Sequence, residues 1–186
     1  MQFQEIDIRE IKENAIRLIR DEWALITAGD QKKWNTMTVS WGGIGELWGK
    51  DVAMIFIRPQ RYTYEFIERE DYFTMSFFEK EYKKALSLCG SKSGRDIDKA
   101  KEAGLTPLFL GSAVAIEEAK LVFICRKVAY QDLDPAGFLD PSIDPSCYPA
   151  KDYHRMYVGA IERVLVKKIT NCHHAFPPIK IAILPS

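Results

Sequence analysis

The chain has 186 residues, 47% of them hydrophobic and 28% charged, enough for one packed domain and unlike a disordered segment. Lys plus Arg and Asp plus Glu both number 26, so the formal net charge is zero. That excludes the concentrated positive field a nucleic-acid partner requires, while leaving room for a local basic pocket.

In chain order, Asn14 to Arg20 reads as a short helix leading into a strand over Trp23 to Ala28. After a turn at Gly29-Asp30, Trp34 to Trp41 alternates with a period of two, the geometry of a strand. Thr36, Thr38 and Ser40 fall on one face, and Asn35, Met37, Val39 and Trp41 on the other. The two strands read as a hairpin. Gly42-Gly43-Ile44-Gly45 reads as a flexible loop. It is no dinucleotide fingerprint, because Trp48 stands where the third glycine belongs. Val52 to Ile57 is apolar on both faces, as a central strand is, and Arg58-Pro59 ends it.

Thr63 to Glu70 reads as a helix. Tyr72 to Phe78 alternates again, with Phe73, Met75 and Phe77 opposite Thr74 and Ser76. Lys80 to Cys89 is an amphipathic helix closed by Gly90, and Asp96 is placed to cap a second short helix closed by Gly104. Two β-rich segments, Ala113 to Ala129 and Met156 to Lys168, flank an irregular loop marked by Asp134-Pro135, Asp140-Pro141, Asp144-Pro145 and Tyr148-Pro149. The sum is mainly β with short helices: six or seven strands, close in sequence and so antiparallel, which closure into a small barrel relieves of edges.

The four cysteines, Cys89, Cys125, Cys147 and Cys172, form no CxxC pair, which excludes zinc-ribbon and thioredoxin-type motifs. Cys89 and Cys125 read as buried thiols. The tail after Lys168 carries Cys172-His173-His174, but adjacent histidines without a nearby fourth ligand do not make a metal site. A loose tail or an added strand is the expectation there. The first residues have no signal-peptide character, and the longest apolar runs are too short to span a bilayer. A cytoplasmic protein with no membrane partner is expected.

Four stretches can carry chemistry. The Trp34 to Trp41 strand offers three hydroxyls between two indoles, suited to a ligand that is aromatic at one end and hydroxylated along its length. Arg58-Pro59-Gln60-Arg61-Tyr62-Thr63 places two guanidiniums, a phenol and a hydroxyl at a strand end and helix start, suited to phosphate or carboxylate. Gly90-Ser91-Lys92-Ser93-Gly94-Arg95-Asp96 is a basic Gly/Ser loop whose N–H groups can hold an anion, though it is no Walker A loop. His154 precedes a strand, and no Ser-His-Asp spacing involves it. Glu117-Glu118 point to opposite faces and do not act together.

The succession W-N-T-M-T-V-S-W, R-P-Q-R-Y-T, F-T-M-S-F-F, C-G-S-K-S-G-R-D-I-D-K and H-R-M-Y-V-G resembles the flavin reductase-like family, most of all its flavoredoxin branch, over roughly Ile6 to Lys168. The resemblance implies an FMN-binding split β-barrel, a homodimer with flavin near the subunit interface. Residues 1–168 form the domain, and 169–186 are a tail that departs from the family. It implies hydride or electron transfer through FMN with NAD(P)H as donor. The alternatives are a flavoredoxin-type electron-transfer protein that serves a redox protein partner, and a non-enzymatic flavin-binding barrel. By the same resemblance Asn35, Thr36, Met37 and Thr38, next to Trp34, contact the ring and ribityl chain, and Ser40 and Trp41 extend that wall. Arg58, Arg61, Tyr62 and Thr63 surround the phosphate, with Ser91, Lys92 and Ser93 approaching it. His154 lies near the nicotinamide donor, and no catalytic acid or base is implied.

Overall fold

Period-two segments become strands of one antiparallel sheet. A computed structural model describes residues 3–168, so the Cys172-His173-His174 segment and the rest of the tail lie outside the described residues. Strand β1 is Phe3–Ile6, β2 Ala24–Gly29, β3 Trp34–Val39, β4 Gly42–Leu47 and β5 Lys50–Ile57. Helix α1 (Tyr62–Arg69) precedes β6 (Tyr72–Phe77), and helices α2 (Lys83–Ser91) and α3 (Lys99–Ala103) follow it. Then come β7 (Pro107–Leu110), β8 (Ala113–Ile116), β9 (Leu121–Asp132), helix α4 (Ile143–Cys147) and β10 (Arg155–Lys167).

The main sheet runs β3-β2-β6-β9-β10-β5-β4, and β1 joins it through β10. Strand β10 is 13 residues long and forks. Its first half pairs with β5, its last residues pair with β1, and β9 follows it along nearly its whole length. That shared strand ties β1, β5 and β9 into one sheet. The short β7–β8 hairpin covers one face, where Val114 O accepts from Thr74 Oγ1 at 2.7 Å.

Both faces of the sheet are covered. Phe73, Met75 and Phe77 pack with Ile26, Phe123 and Tyr157 in one core cluster. Leu25, Val122 and Ile124 pack on the other side against Leu86 and Cys89 of α2 and Ile116 of β8. Cys89 and Cys125 are buried thiols, and burial pushes the Cys89 thiol up to about 11.

Four local expectations are corrected. The Gly42 to Gly45 segment is strand β4, not a loop. Trp48 (φ 58°) and Gly49 (φ 69°) form a two-residue turn of left-handed residues that folds β4 back on β5. The first helix runs on through a wide π-type turn, Arg17–Glu22, until Trp23 (φ 67°) breaks it. Asn14 caps it, its side chain accepting from the N–H groups of Ile16 and Arg17. Gly90 does not close α2, which continues to Ser91. Asp98 rather than Asp96 caps α3, accepting from Lys101 N at 3.1 Å, and Gly104 (φ 65°) ends it as expected. Among the described residues no helix is long and apolar enough to cross a membrane.

Candidate functional site

Strands β3 and β5 are far apart in the hydrogen-bonding order, yet their ends meet. The end of β3 with Ser40 and Trp41, Phe56 of β5, the corner residues Arg58 and Arg61, and His154 at the foot of β10 enclose a recess of about 150 Å³. The curl of the sheet closes that gap. Seven of the residues expected from sequence to meet a ligand thus come together: Met37, Thr38, Ser40, Trp41, Arg58, Arg61 and His154. Trp34, Asn35, Thr36 and Tyr62 line a separate groove of about 540 Å³, with Gly94 and Lys99. Thr63, Ser91, Lys92 and Ser93 line neither recess.

The hydroxyl row is not a ligand-facing surface over its whole length. Thr36 Oγ1 is buried against Thr27 Oγ1 (2.9 Å) and donates to Ile26 O. Thr38 Oγ1 donates to Leu86 O of α2. Only Ser40 of the three is exposed. What β3 offers instead is its outer edge, because it ends the sheet. Thr36 O already points outward, accepting from Lys99 Nζ. Main-chain groups alternate sides along an antiparallel strand, so those of Thr38 face the same outer edge and those of Asn35 and Met37 face β2.

The arginine corner divides into two roles. The Arg58 guanidinium is turned to Asp152 and donates to Cys147 O at 2.8 Å. Its hydrogen bond holds the Asp152 carboxyl below the usual carboxylate range. Arg61 has no carboxylate within ion-pair distance among the described residues, and its Nη1 donates to Gly90 O at 3.2 Å. Arg95 lies over the Tyr62 ring and pairs with Glu65. Ser91 Oγ donates to Leu88 O of its own helix.

Asn35 and Thr63 brace this corner from inside, Asn35 Nδ2 donating to Thr63 Oγ1 at 2.8 Å with both side chains buried. A Cβ at Gly94 would collide with Asn35 Oδ1, so the loop passes close over this pair only because residue 94 is glycine. Asn35→Ala leaves a buried hydroxyl unpaired and a void beneath the loop. It is expected to lower unfolding free energy by about 2 kcal/mol in a urea titration; a loss under about 0.5 kcal/mol contradicts the bracing role.

His154 is only 8% exposed. Its Nδ1 shares a 2.8 Å hydrogen bond with the Tyr148 hydroxyl, and its ring lies 5.1 Å from that of Trp41. Burial, and then the Arg58 charge, push its pKa down to about 4, so it is neutral at neutral pH. Tyr148, Asp152 and Lys99 are the supporting residues that sequence reasoning missed. Tyr148 and Asp152 sit in the Pro-rich loop, where spacing carries no structural period.

The family sequence model for the flavin reductase like domain matches residues 17–176. The chain belongs to the flavin reductase like domain family. Solved structures share its fold. A flavoredoxin from Methanosarcina acetivorans is 21% identical with a TM-score of 0.61, over 79% of this chain and 69% of that one. An FMN-binding domain of a flavin reductases-like enzyme from Shewanella baltica OS155 is 14% identical with a TM-score of 0.64, over 89% and 77%. A protein with a split barrel domain from Shewanella frigidimarina NCIMB 400 is 18% identical with a TM-score of 0.63, over 97% and 94%. A search of curated proteins finds no match. In flavin reductase family terms, the fold is the antiparallel split barrel expected from the sequence.

Proposed function

We propose that the protein is an FMN-dependent oxidoreductase of the NAD(P)H:flavin reductase type. The observation that best supports this is the convergence of the β3 edge, the Trp41 and His154 rings and a carboxylate-free Arg61 on one recess. Those groups suit a ligand with an aromatic head, a polar middle and a phosphate tail. FMN, when bound, supplies two-electron redox chemistry at its ring. The chain's part is binding and orientation. Trp41 presents a ring face, the outward main-chain groups of Thr38 offer a donor and an acceptor, and Arg61 offers a planar fork to phosphate. Neutral His154, steadied by Tyr148, adds polarity without charge. Thr36, Thr38 and Thr63 act on the protein side of the wall, their hydroxyls engaged internally.

A recess of about 150 Å³ is smaller than the roughly 300–1,000 Å³ of typical ligand pockets. We therefore take a homodimer to complete the site, with residues 1–168 as the working domain, 169–186 as an appended tail, and the cytoplasm as its compartment. One observation favours a second reading, a carrier that exchanges electrons with another redox protein. Trp41 is 45% exposed at the mouth of the recess, where a partner can reach it.

The test is to purify the protein, record flavin absorbance and oligomer size together, and follow NAD(P)H loss with added FMN. Absence of flavin together with no stabilisation by added FMN overturns the reading. Flavin that NAD(P)H cannot reduce, but a reduced protein can, selects the carrier. Arg61→Ala is expected to weaken FMN binding by about tenfold to a hundredfold in a fluorescence titration, the scale of a charge-assisted phosphate contact. Unchanged affinity removes Arg61 from the site.

A further inference from the structure

Lys99 is buried, 7% exposed, on the five-residue helix α3. Its Nζ donates to Thr36 O at 2.9 Å and to Cys89 O at 2.7 Å. No carboxylate lies within ion-pair distance of it among the described residues. A buried ammonium without a counter-ion is costly unless other groups solvate it. Here the partners are a carbonyl on the outer edge of β3 and one at the carbonyl-rich end of α2, where the helix dipole is negative. The next carbonyl along, Gly90 O, holds Arg61. Two cations from different parts of the chain therefore grip successive carbonyls of one helix end.

We propose that Lys99 is a positioning residue of the flavin site: it clamps β3 to the end of α2 and so fixes the carbonyl that aims Arg61 at the phosphate. The inference rests on the FMN reading above. Removing the clamp frees the α2 end and with it the Arg61 fork, while the ring-binding end of the site, at Trp41 and His154, is left in place.

Charge gives the clamp a second signature. Burial first, with the like charge of Arg61 acting in the same direction, pushes Lys99 down to about 8. The groups that face it are few in kind. Cys89 of α2, pushed up to about 11, remains a thiol in this range. Arg61 faces it from the cap of α1 and Tyr62 from the first turn of that helix, and Lys32 and Lys33 face it from the β2–β3 turn. Asp98 and Lys101 flank it on its own segment, and β3 presents the Trp34 indole, the Asn35 amide and the Thr36 carbonyl, none of which titrates here. A phosphate on Arg61 offsets the repulsion and strengthens the hold of Lys99 on its proton. Above pH 8, FMN binding then takes up a proton, and affinity falls as pH rises.

The experiment is a titration of the full-length protein with FMN, and in parallel with riboflavin, which lacks the phosphate, between pH 7 and 9. In the parent, the FMN Kd is expected to hold steady below pH 8 and then rise, approaching about tenfold per pH unit, while the riboflavin Kd stays level. Lys99→Met at pH 7 is expected to weaken FMN by about tenfold or more, riboflavin by much less, and to abolish the pH step. Lys99→Arg is expected to regain part of the FMN affinity. A level FMN profile in the parent overturns the proposal, even if Lys99→Met does not fold. Equal losses for FMN and riboflavin in Lys99→Met also overturn it, and leave the FMN reading standing. If the parent binds neither flavin, the FMN reading fails and the proposal falls with it.

Discussion

Gly159→Val is expected to cost more than about 3 kcal/mol and to lower the melting temperature by roughly 6–12 °C. Gly159 lies in β10, opposite Ala53 of β5 and Lys127 of β9, next to a register shift at Val158/Gly159. A Cβ there would stand 2.5 Å from Phe73 Cζ and 2.8 Å from Cys125 Cβ. Phe73 is fully enclosed in the core, so its ring has nowhere to move. Cys125 Cβ is fixed by its own backbone in β9. Alanine already overpacks this point, by about 1–3 kcal/mol, and valine adds two more atoms to the same space. The measurement is thermal and urea unfolding of both variants, with Phe73→Leu as the compensating partner. The pair Gly159→Ala with Phe73→Leu is expected to be more stable than the sum of the single losses, because leucine lacks the ring edge that collides. Strict additivity would show that Phe73 does not limit the space at residue 159.

The same contact illustrates what a sequence can and cannot disclose. Alternation in Tyr72 to Phe77 correctly assigns Phe73, Met75 and Phe77 to one core face. It says nothing of what covers the other face. Thr74 and Ser76 are buried too, under the β7–β8 hairpin. The same gap explains the hydroxyl row of β3. Thr36 and Thr38 share a face, as their spacing requires, but that face meets Thr27 and Leu86 rather than solvent. Strand β4 is hidden in the sequence because its glycines resemble a loop and its turn uses tryptophan, Trp48, in a left-handed conformation usually left to Asn, Asp or Gly.

Within the site, composition points to the right corner but not to the division of labour inside it. Arg58 and Arg61 look equivalent in sequence. A carboxylate 94 residues away engages the first and leaves the second to Gly90. No local period encodes such a pairing, because it depends on how the Pro-rich loop returns to β10. No sequence pattern singles out Lys99 on its short helix. It is buried because α3 starts only after Asp98 and its first residue faces the β3 edge.

Acidification from pH 6.5 to 4 is expected to remove up to about 3 kcal/mol of stability through His154 alone. Its ordinary pKa near 6.5 is pushed down to about 4 in the folded protein. Between those values the unfolded chain binds a proton that the folded one refuses, so stability rises with pH across the window. The contribution is complete above pH 6.5 and lost as pH falls towards 4. Burial is the main cause, since a charged imidazole loses water and meets the Trp41 ring and the Tyr148 hydroxyl. Arg58 and Arg61 add repulsion, and Asp152 offsets part of it. Asp152 itself weakens the fold only below the ordinary carboxylate range, where protonation frees Arg58. His154→Gln keeps a partner for Tyr148 but cannot titrate. Its unfolding free energy is expected to vary less than the parent's between pH 6.5 and 4, the curves separating by up to about 3 kcal/mol. Parallel curves would mean that the imidazole is hydrated in the folded state. The recess would then admit water beside Trp41, and a neutral, water-poor wall for a flavin ring would no longer describe it.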